Sequence, residues 1–560
     1  MSTVDRVLRI GNASGFYGDR ASAWQEMLTG GPLDVLTGDY LAELTMLILG
    51  RDQLRDPSLG YARGFLRQME NALGIAHEKG VRIVTNAGGL NPAGLAAALR
   101  ALAERLGIPV AVSHVEGDAV SVPGALTANA YLGAFGIAEC LRAGADIVVT
   151  GRVTDASLVV GPAIAHFGWG RADLAALAGA TVTGHILECG TQATGGNFAF
   201  FTELPDLRRP GFPLAEIFAD GSSVITKHPG TGGAVTVETV TAQLLYEIGG
   251  PDYTGPDVVT RFDTIELTQE GPDRVRVRGA QGAPPPPTLK VGVNTLGGFR
   301  NSMSFVLCGL DIEAKAALIR GQVIDSVGEQ GLTFRLARTD HPDADTEEAA
   351  SALLTVSIED PDPKRAGRAF SGAAVEWALA TYPGCTLTSP PGDASPFGVF
   401  TAEFLPQDAV AHTAVLPDGT RVTIPPPADV APLPQRTTEP GEPIAAGPTG
   451  PTRRVPLGTI VGARSGDKGG DANLGVWART PAGFAWLRDF LTVERLRQLL
   501  PECAPLAVER FELANLQALN FVLHGLLGRG VAASTRFDPQ AKALGEWLRS
   551  RVVEIPEVLL

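Results

Sequence analysis

Hydrophobic positions in the first 245 or so residues come in short unalternating runs, each followed by a polar, glycine-rich stretch and then an apolar helical segment. Val7 to Ile10, Asp34 to Leu36, Val81 to Val84, Pro109 to Val112 and Asp146 to Val149 read as strands. Runs without alternation suit strands covered on both faces, and such strands build parallel sheets. Helices follow from about Arg20, up to Leu49, over Ala93 to Leu106 and up to about Phe167. Pro92 at the start of the third fits the first helical position. Strands alternating with helices predict a doubly wound, mainly parallel α/β domain over residues 1–250.

From about residue 255 the pattern changes. Phe262 to Leu267 and Arg274 to Arg278 alternate like a hairpin around Glu270-Gly271-Pro272-Asp273. Leu289 to Val293 and Ser302 to Cys308 read as strands flanking a polar glycine loop, Asn294 to Asn301. A helix at Ile312 to Val327, strands at Leu332 to Ala337 and Leu353 to Ile358, and a helix at Arg365 to Ala380 complete an α+β middle domain, 251–423. Residues 424–455 form a Pro-rich linker, of a composition that stays extended. The C-terminal segment, 456–560, is long enough for an independent small α/β sandwich. Its expected order is strand Leu457 to Val461, a polar loop to Asn473, strand Leu474 to Trp477, helix Phe484 to Leu500 and strand Val508 to Leu513. A helix near Leu516 to Leu526, a strand near Val531 to Thr535 and a helix from Pro539 to about Val552 close it.

The polar stretches carry the candidate chemistry. In doubly wound sheets, ligands collect at the carboxyl ends of the strands. The loops there hold Asn12, Asp19, Asp39, Asn86, Gly88, Gly89, Asn91, Arg152 and Asp155. For each, a turn or capping role competes with ligand contact. Glu188 beside Cys189 is a candidate acid/base; the thiol is the weaker candidate as a nucleophile. Lys227 and His228 precede a helix expected over Ala234 to Glu247, whose N-terminus suits an anion. The stretch Gly462 to Asn473 concentrates four glycines with Arg464, Ser465, Asp467, Lys468, Asp471 and Asn473. Amides plus cations make an anion cradle. Asp155, Glu188 and Asp467 are therefore the expected proton-transfer residues. Asn12, Asn86, Gly88, Gly89, Asn91, Arg152, Lys227, Arg464, Ser465, Lys468 and Asn473 are the expected substrate or anion ligands. His524, among apolar residues, reads as a core histidine. Neither a Walker loop nor a dinucleotide-binding glycine spacing occurs.

Composition narrows the class. A net charge of −15 over 560 residues argues against a nucleic-acid surface. Five scattered cysteines fit reduced thiols, and no Cys/His cluster points to zinc. No signal peptide or membrane-length apolar run is evident, so a cytoplasmic enzyme with a small-molecule substrate, expected to be a homo-oligomer, is the reading. Mg²⁺ stays open, since Asp39, Asp155 and Asp467 could hold it only if they meet in space.

Three stretches, Thr85 to Pro92, Thr150 to Ser157 and Arg464 to Gly469, resemble the acyclic terpene utilisation protein family, AtuA. The resemblance covers nearly the whole chain. It implies an AtuA core to about residue 400 and a C-terminal AtuA-like domain of ferredoxin-like fold. It also implies a place in the catabolism of branched isoprenoid acids, beside acyl-CoA carboxylases, dehydrogenases and hydratases. The family brings no catalytic residues to carry over. The expected chemistry is hydration, dehydration or a related lyase step on a branched acyl-CoA or carboxylate, with a CoA thioester as one candidate substrate. The competing expectation is a non-catalytic, CoA- or nucleotide-binding partner subunit of an acyl-CoA enzyme.

Overall fold

The computed structural model describes residues 7–433 and 446–560. Met1–Arg6 and the centre of the Pro-rich linker lie outside the described residues. The rest falls into two compact units. One lies within Met1–Asn294, Phe400–Val531 and Gln540–Leu560, the other within Thr295–Val399 and Ala532–Pro539.

The larger unit is built on an eleven-stranded sheet. Its strands include β1 (Leu8–Asn12), β2 (Val35–Gly38), β3 (Arg82–Thr85) and β4 (Val112–Glu116). β5 (Thr127–Ala130) lies outside it, while β6 (Ile147–Thr150), β7 (Pro213–Ile217) and β8 (Ser223–Lys227) belong to it. Its centre runs β1-β2-β3-β6-β4, all parallel. Every residue of β2 and β6 is buried, as the unalternating apolar runs require. Antiparallel wings extend both sides: β7, β8 and the hairpin Glu266–Gly271/Arg274–Arg278 on one, Thr413–Val415 and Arg421–Thr423 on the other. The hairpin and the segment past residue 400, expected in a middle domain, thus complete the first sheet. Crossover helices are set by local chemistry. Asn91 caps Pro92–Leu106 by accepting from Gly94 N–H at 2.9 Å, and Gly107, at φ 68°, ends it in the left-handed region.

The C-terminal segment lies within this same unit. Its four-stranded antiparallel sheet runs in the order Val461–Lys468, Asp471–Ala478, Ala518–Leu523, Val508–Leu513. The polar stretch from 462 to 473 is therefore not a loop between two strands but a hairpin, turning at Gly469 and Gly470. Alternation explains it. Ala463, Leu474 and Val476 join the segment's own core with Leu544 and Leu548, whereas Trp477 and Ala518 enter the core of the large sheet. The expected helix at 516–526 is the strand Ala518–Leu523; all six residues are buried, so no alternation marked it. The expected strand near 531–535 is turn and coil. The long helix expected over 484–500 is two, Pro481–Phe490 and Val493–Leu499, each capped by a threonine.

In the smaller unit, Phe299 to Cys308 pairs with Ser351–Asp360, which pairs with Leu332–Ala337. Helix Ile312–Val327 and helix Phe370–Glu376 cover a core that includes Met303, Phe305, Ile319, Leu354 and Phe370. The expected polar loop Asn294–Asn301 is part of one long strand, Thr288–Cys308.

Candidate functional site

Four of the parallel strands end on residues that meet around one buried acidic and basic cluster. Asp39 follows β2, Asn86 follows β3, Arg152 follows β6, and Asn12 ends β1. Asn86 donates to Asp39 Oδ1 at 2.6 Å and accepts from Tyr40 N–H at 2.8 Å, which fixes the buried carboxyl. Arg152 lies over the Tyr131 ring at 4.1 Å and bonds Asp155 Oδ1 at 2.5 Å. Asp118 accepts from its backbone N–H at 2.9 Å and so sets the turn. Burial, reinforced by Asp155, holds the Asp39 carboxyl well above the usual range despite Arg152.

The helix Leu174–Leu187 brings in the next groups at its C-terminus. Asn12 Nδ2 donates to the carbonyl oxygens of Leu187 and Glu188 at 2.7 and 3.2 Å, tying β1 to this corner. Glu188 Oε1 sits 2.9 Å from His185 Nδ1, while Glu188 Oε2 and His185 Nε2 are buried without partners. His185 packs against Tyr253 and Phe262. Burial drops its pKa to about 4, so the ring is neutral near pH 7. Burial raises Glu188 well above the carboxylate range, with Asp155 and Glu247 adding to the shift and Arg152 and Lys468 opposing it. A carboxyl that keeps its proton, beside cations, with one oxygen unengaged, is equipped to exchange that proton with a ligand.

The C-terminal hairpin supplies the facing wall. Lys468 is exposed, and its Nζ donates to the Glu247 carbonyl at 3.0 Å. Surrounding protein, and then Lys290, lower its pKa. Lys290 stands 3.5 Å from Glu43 and 4.8 Å from the Tyr131 ring, with a side chain 35% exposed. Two ammonium groups that repel each other while both reach solvent are ready for a shared anion. Asp467 is pushed up to about 6 by burial and by Glu43. Arg464 lies 4.3 Å over the Tyr246 ring and bonds Gln192. Asn473 accepts from Glu247 N–H at 2.8 Å.

The expected residues thus separate by role. Asp155, Glu188, Asp467, Arg152 and Lys468 come together; Asn12, Asn86, Arg464 and Asn473 hold the elements around them. Gly88 and Gly89 serve packing: a Cβ on Gly88 would stand 2.5 Å from Thr150 O, and one on Gly89 2.4 Å from Leu49 Cδ1. Asn91 is a helix cap that also bonds the Ser58 and Leu59 carbonyls. Ser465 accepts from Gly545 N–H at 2.9 Å at the start of helix Leu544–Ser550. Lys227 bonds Thr231 O at 2.7 Å and pairs with Asp273 at 3.1 Å, an internal strut on β8. Asp19 closes its own turn by accepting from Gly15 N–H. Cys189 is raised far above an ordinary thiol by burial and by Glu188, which disfavours the thiolate a nucleophile needs. His524 is not a core residue but bridges Asp471 and Glu509 at 2.9 and 3.0 Å.

Glu43, Lys290, Tyr131 and Lys542 escaped the sequence reading because each lies outside a glycine-rich turn, and Tyr246 and Glu247 because they fall at the end of the helix expected over Ala234 to Glu247. A charge inside an otherwise apolar run, as in Leu289-Lys290-Val291 or Ala42-Glu43-Leu44, is the signal that could have found two of them. Among the described residues, no three His, Cys, Asp or Glu side chains are grouped so as to hold a metal ion, so Asp39, Asp155 and Asp467 do not form the Mg²⁺ site they would need to. No helix among the described residues is long and apolar enough to cross a membrane.

Family comparison fits the architecture. The family model described as acyclic terpene utilisation family protein AtuA matches residues 8–125 and 122–416. The chain belongs to the AtuA family. The AtuA ferredoxin-like domain matches residues 455–554, the segment that carries the hairpin. The family's name suggests a role in terpene catabolism. No curated protein matches the chain.

Proposed function

We propose that this AtuA protein is an enzyme of branched, acyclic acid catabolism that adds or removes water, or performs a related lyase step, on a branched acyl-CoA or carboxylate. The observation that carries this reading is Glu188. Its carboxyl is buried, bonded through one oxygen to neutral His185, unpartnered at the other, and within electrostatic reach of Arg152 and Lys468. A binding module needs cations but has no use for a desolvated acid among them. Lys468 and Lys290 would hold a carboxylate, or the oxygen of a thioester as it becomes an enolate, by charge-assisted bonds. Glu188 would give or take the proton at the carbon next to that group.

The test is ligand-dependent thermal stability, because a ligand of the native state raises the midpoint by mass action. Wild type and Lys468→Ala are heated with CoA, a branched acyl-CoA and free branched acids. A midpoint rise with the thioester or the acid, lost in Lys468→Ala, is expected. Turnover assays of the same probes should then fail in Glu188→Gln. A rise with CoA alone, unaffected by Glu188→Gln and unaccompanied by turnover of any probe, would replace the enzyme with a CoA-binding subunit.

A further inference from the structure

We propose that His185 is the positioning residue for Glu188: held as its Nδ1–H tautomer, it donates to Glu188 Oε1 and leaves the exchangeable proton of the acid on Oε2. The proposal rests on the proton-transfer reading above. Both residues stand at the C-terminal end of the helix Leu174–Leu187, three positions apart, with Glu188 itself as the C-cap. A helix C-terminus carries partial negative charge, so a carboxylate there is disfavoured unless something donates to it. Among the described residues, His185 Nδ1, 2.9 Å from Oε1, is the one hydrogen-bond partner of that carboxyl. The turn is held from outside. Asn12 Nδ2 donates to the carbonyls of Leu187 and Glu188 at 2.7 and 3.2 Å, and Gln243 Nε2 donates to the His185 carbonyl at 2.9 Å. A helix end leaves such carbonyls without intrahelical partners. Gly184 brings the helix against the turn that carries Asp155: a Cβ there would stand 2.8 Å from Ala156 Cα. The ring is fixed as firmly. His185 is 1% exposed and lies 5.1 and 5.5 Å, centre to centre, from the rings of Tyr253 and Phe262, which stack on each other at 5.0 Å.

The tautomer follows from the nitrogen that bonds and the one that does not. Nε2 is buried without a partner. A neutral ring carries one proton. On Nε2 it would be an orphaned buried N–H, which is rarer than an orphaned acceptor, and Oε1 would have to carry the proton of the acid, aimed at the ring. On Nδ1 it gives Oε1 a donor, and the proton of the acid belongs on Oε2, which no other group engages. In the donating direction the Oε2–H bond breaks and its electron pair stays on the carboxylate. The proton forms the α-C–H bond of the enolate that Lys468 and Lys290 hold. His185 keeps its own proton throughout, and its bond to Oε1 strengthens as charge grows there. Abstraction of an α-proton is the reverse. Burial keeps the ring neutral near pH 7, so it does not compete as an acid. The other titratable groups around it are Tyr253 on its face and, at longer range, Glu247, Lys468 and Asp155.

The test uses the full-length chain with 3-methylbut-2-enoate and its CoA thioester as probes. His185→Phe keeps an aromatic ring in the slot and removes the donor; His185→Asn puts an amide N–H near the place of Nδ1–H. Turnover is read as loss of conjugation and as deuterium entry at the α-carbon in D₂O, with Glu188→Gln as the inactive reference. ¹⁵N NMR of the histidine rings in the ligand-free protein runs alongside, and His185→Phe assigns the signal. Expected is a neutral ring protonated on Nδ1. His185→Phe should lose about 100-fold in turnover while keeping the probe-induced midpoint rise, and His185→Asn should regain about tenfold of that loss. The limb of the pH profile set by Glu188 should move up by about one pH unit in His185→Phe, because the ionised carboxyl has lost its donor, and return in His185→Asn. A ring protonated on Nε2, or on both nitrogens at pH 7, overturns the proposal. So does His185→Phe with near-normal turnover and an unmoved limb beside an inactive Glu188→Gln, a result that leaves the proton-transfer reading standing. Wild type inert toward both probes sinks that reading instead, and the NMR spectrum then decides the tautomer and with it the bond to Glu188.

Discussion

At the scale of single residues, the site gathers carboxyls whose burial makes them hold their protons more tightly than usual. Glu43, Asp39, Glu188, Glu247 and Asp467 are all raised, each chiefly by burial. A raised carboxyl binds its proton more tightly in the folded state than in the unfolded chain. Its stabilising contribution is whole below the unfolded value and disappears as pH rises through the folded one. For Asp467 that window runs from its ordinary 3.8 to about 6. The ligand-free protein should therefore lose stability between about pH 4 and pH 6, and further above it as the other carboxyls ionise. Asp467→Asn removes this share. Thermal melts across pH should show a flatter profile in that window and a gain of about 1–2 kcal/mol at pH 8, discounted for partial solvent screening. An unchanged profile would mean Asp467 is hydrated. A second prediction concerns Lys290, whose Nζ stands 3.5 Å from Glu43. Lys290→Met should weaken the midpoint rise given by an anionic probe about tenfold in apparent affinity and make the remaining binding less salt-sensitive. Titration at two ionic strengths checks it.

At the scale of elements, the hairpin Val461–Lys468/Asp471–Ala478 shows what the sequence could and could not reveal. Its glycines looked like a ligand cradle. Only Gly469, at φ 63°, needs the left-handed region. Gly466 and Gly475 let one sheet face approach the turn that carries Tyr246 and Glu247, while Gly462 makes room for Trp477 and Gly470 for Gly528. A Cβ on Gly466 would lie 2.5 Å from the Tyr246 ring, and one on Gly475 2.5 Å from Leu245 Cβ. Gly466→Ala and Gly475→Ala should each cost about 1–3 kcal/mol through overpacking, and Gly466→Ala should also lower turnover by displacing Tyr246 from beneath Arg464. Denaturant melts give the first quantity and probe assays the second; tolerance of both alanines with full stability would contradict the packing. The parallel strands were legible because burial on both faces leaves an unbroken apolar signature, as in Ile147–Thr150. The strand Ala518–Leu523 leaves the same signature, yet without a following glycine loop it passes for a helix. Asp155, Glu188 and Lys468 were legible because they stand in polar turns or at a strand end. Glu247 was not. Its local sequence is that of a helix end, and what makes it special is a partner, Asn473, more than two hundred positions away.

At the scale of the whole molecule, three expected domains become two compact units, and this makes a prediction about cooperativity. Trp477, Leu513, Leu516 and Ala518 of the C-terminal segment lie in the same core as Leu158, Ile186 and Leu245. Trp477 stacks on Phe198 at 6.1 Å, and Asn515 Nδ2 donates to the carbonyls of Phe262 and Ile265, each at 2.8 Å. A segment that seats part of its core and side chains such as Asn515 on another element cannot unfold alone without exposing both. The unit Thr295–Val399 with Ala532–Pro539 has its own core around Phe305, Ile319 and Phe370. Calorimetry should accordingly resolve two transitions, not three. Gly466→Ala should lower the midpoint of the larger one and leave the other in place, whereas Phe305→Ala, a cavity in the smaller core, should do the reverse at a cost of about 3–5 kcal/mol. A chain ending before the strand Thr452–Pro456 should lose the larger transition and, with it, every probe-induced midpoint rise, because Lys468 and the clamp on Glu247 go together. Should the shortened chain keep a sharp transition and still respond to the carboxylate probe, the site would be complete without the C-terminal segment, and the assignment of Lys468 to it would have to be given up.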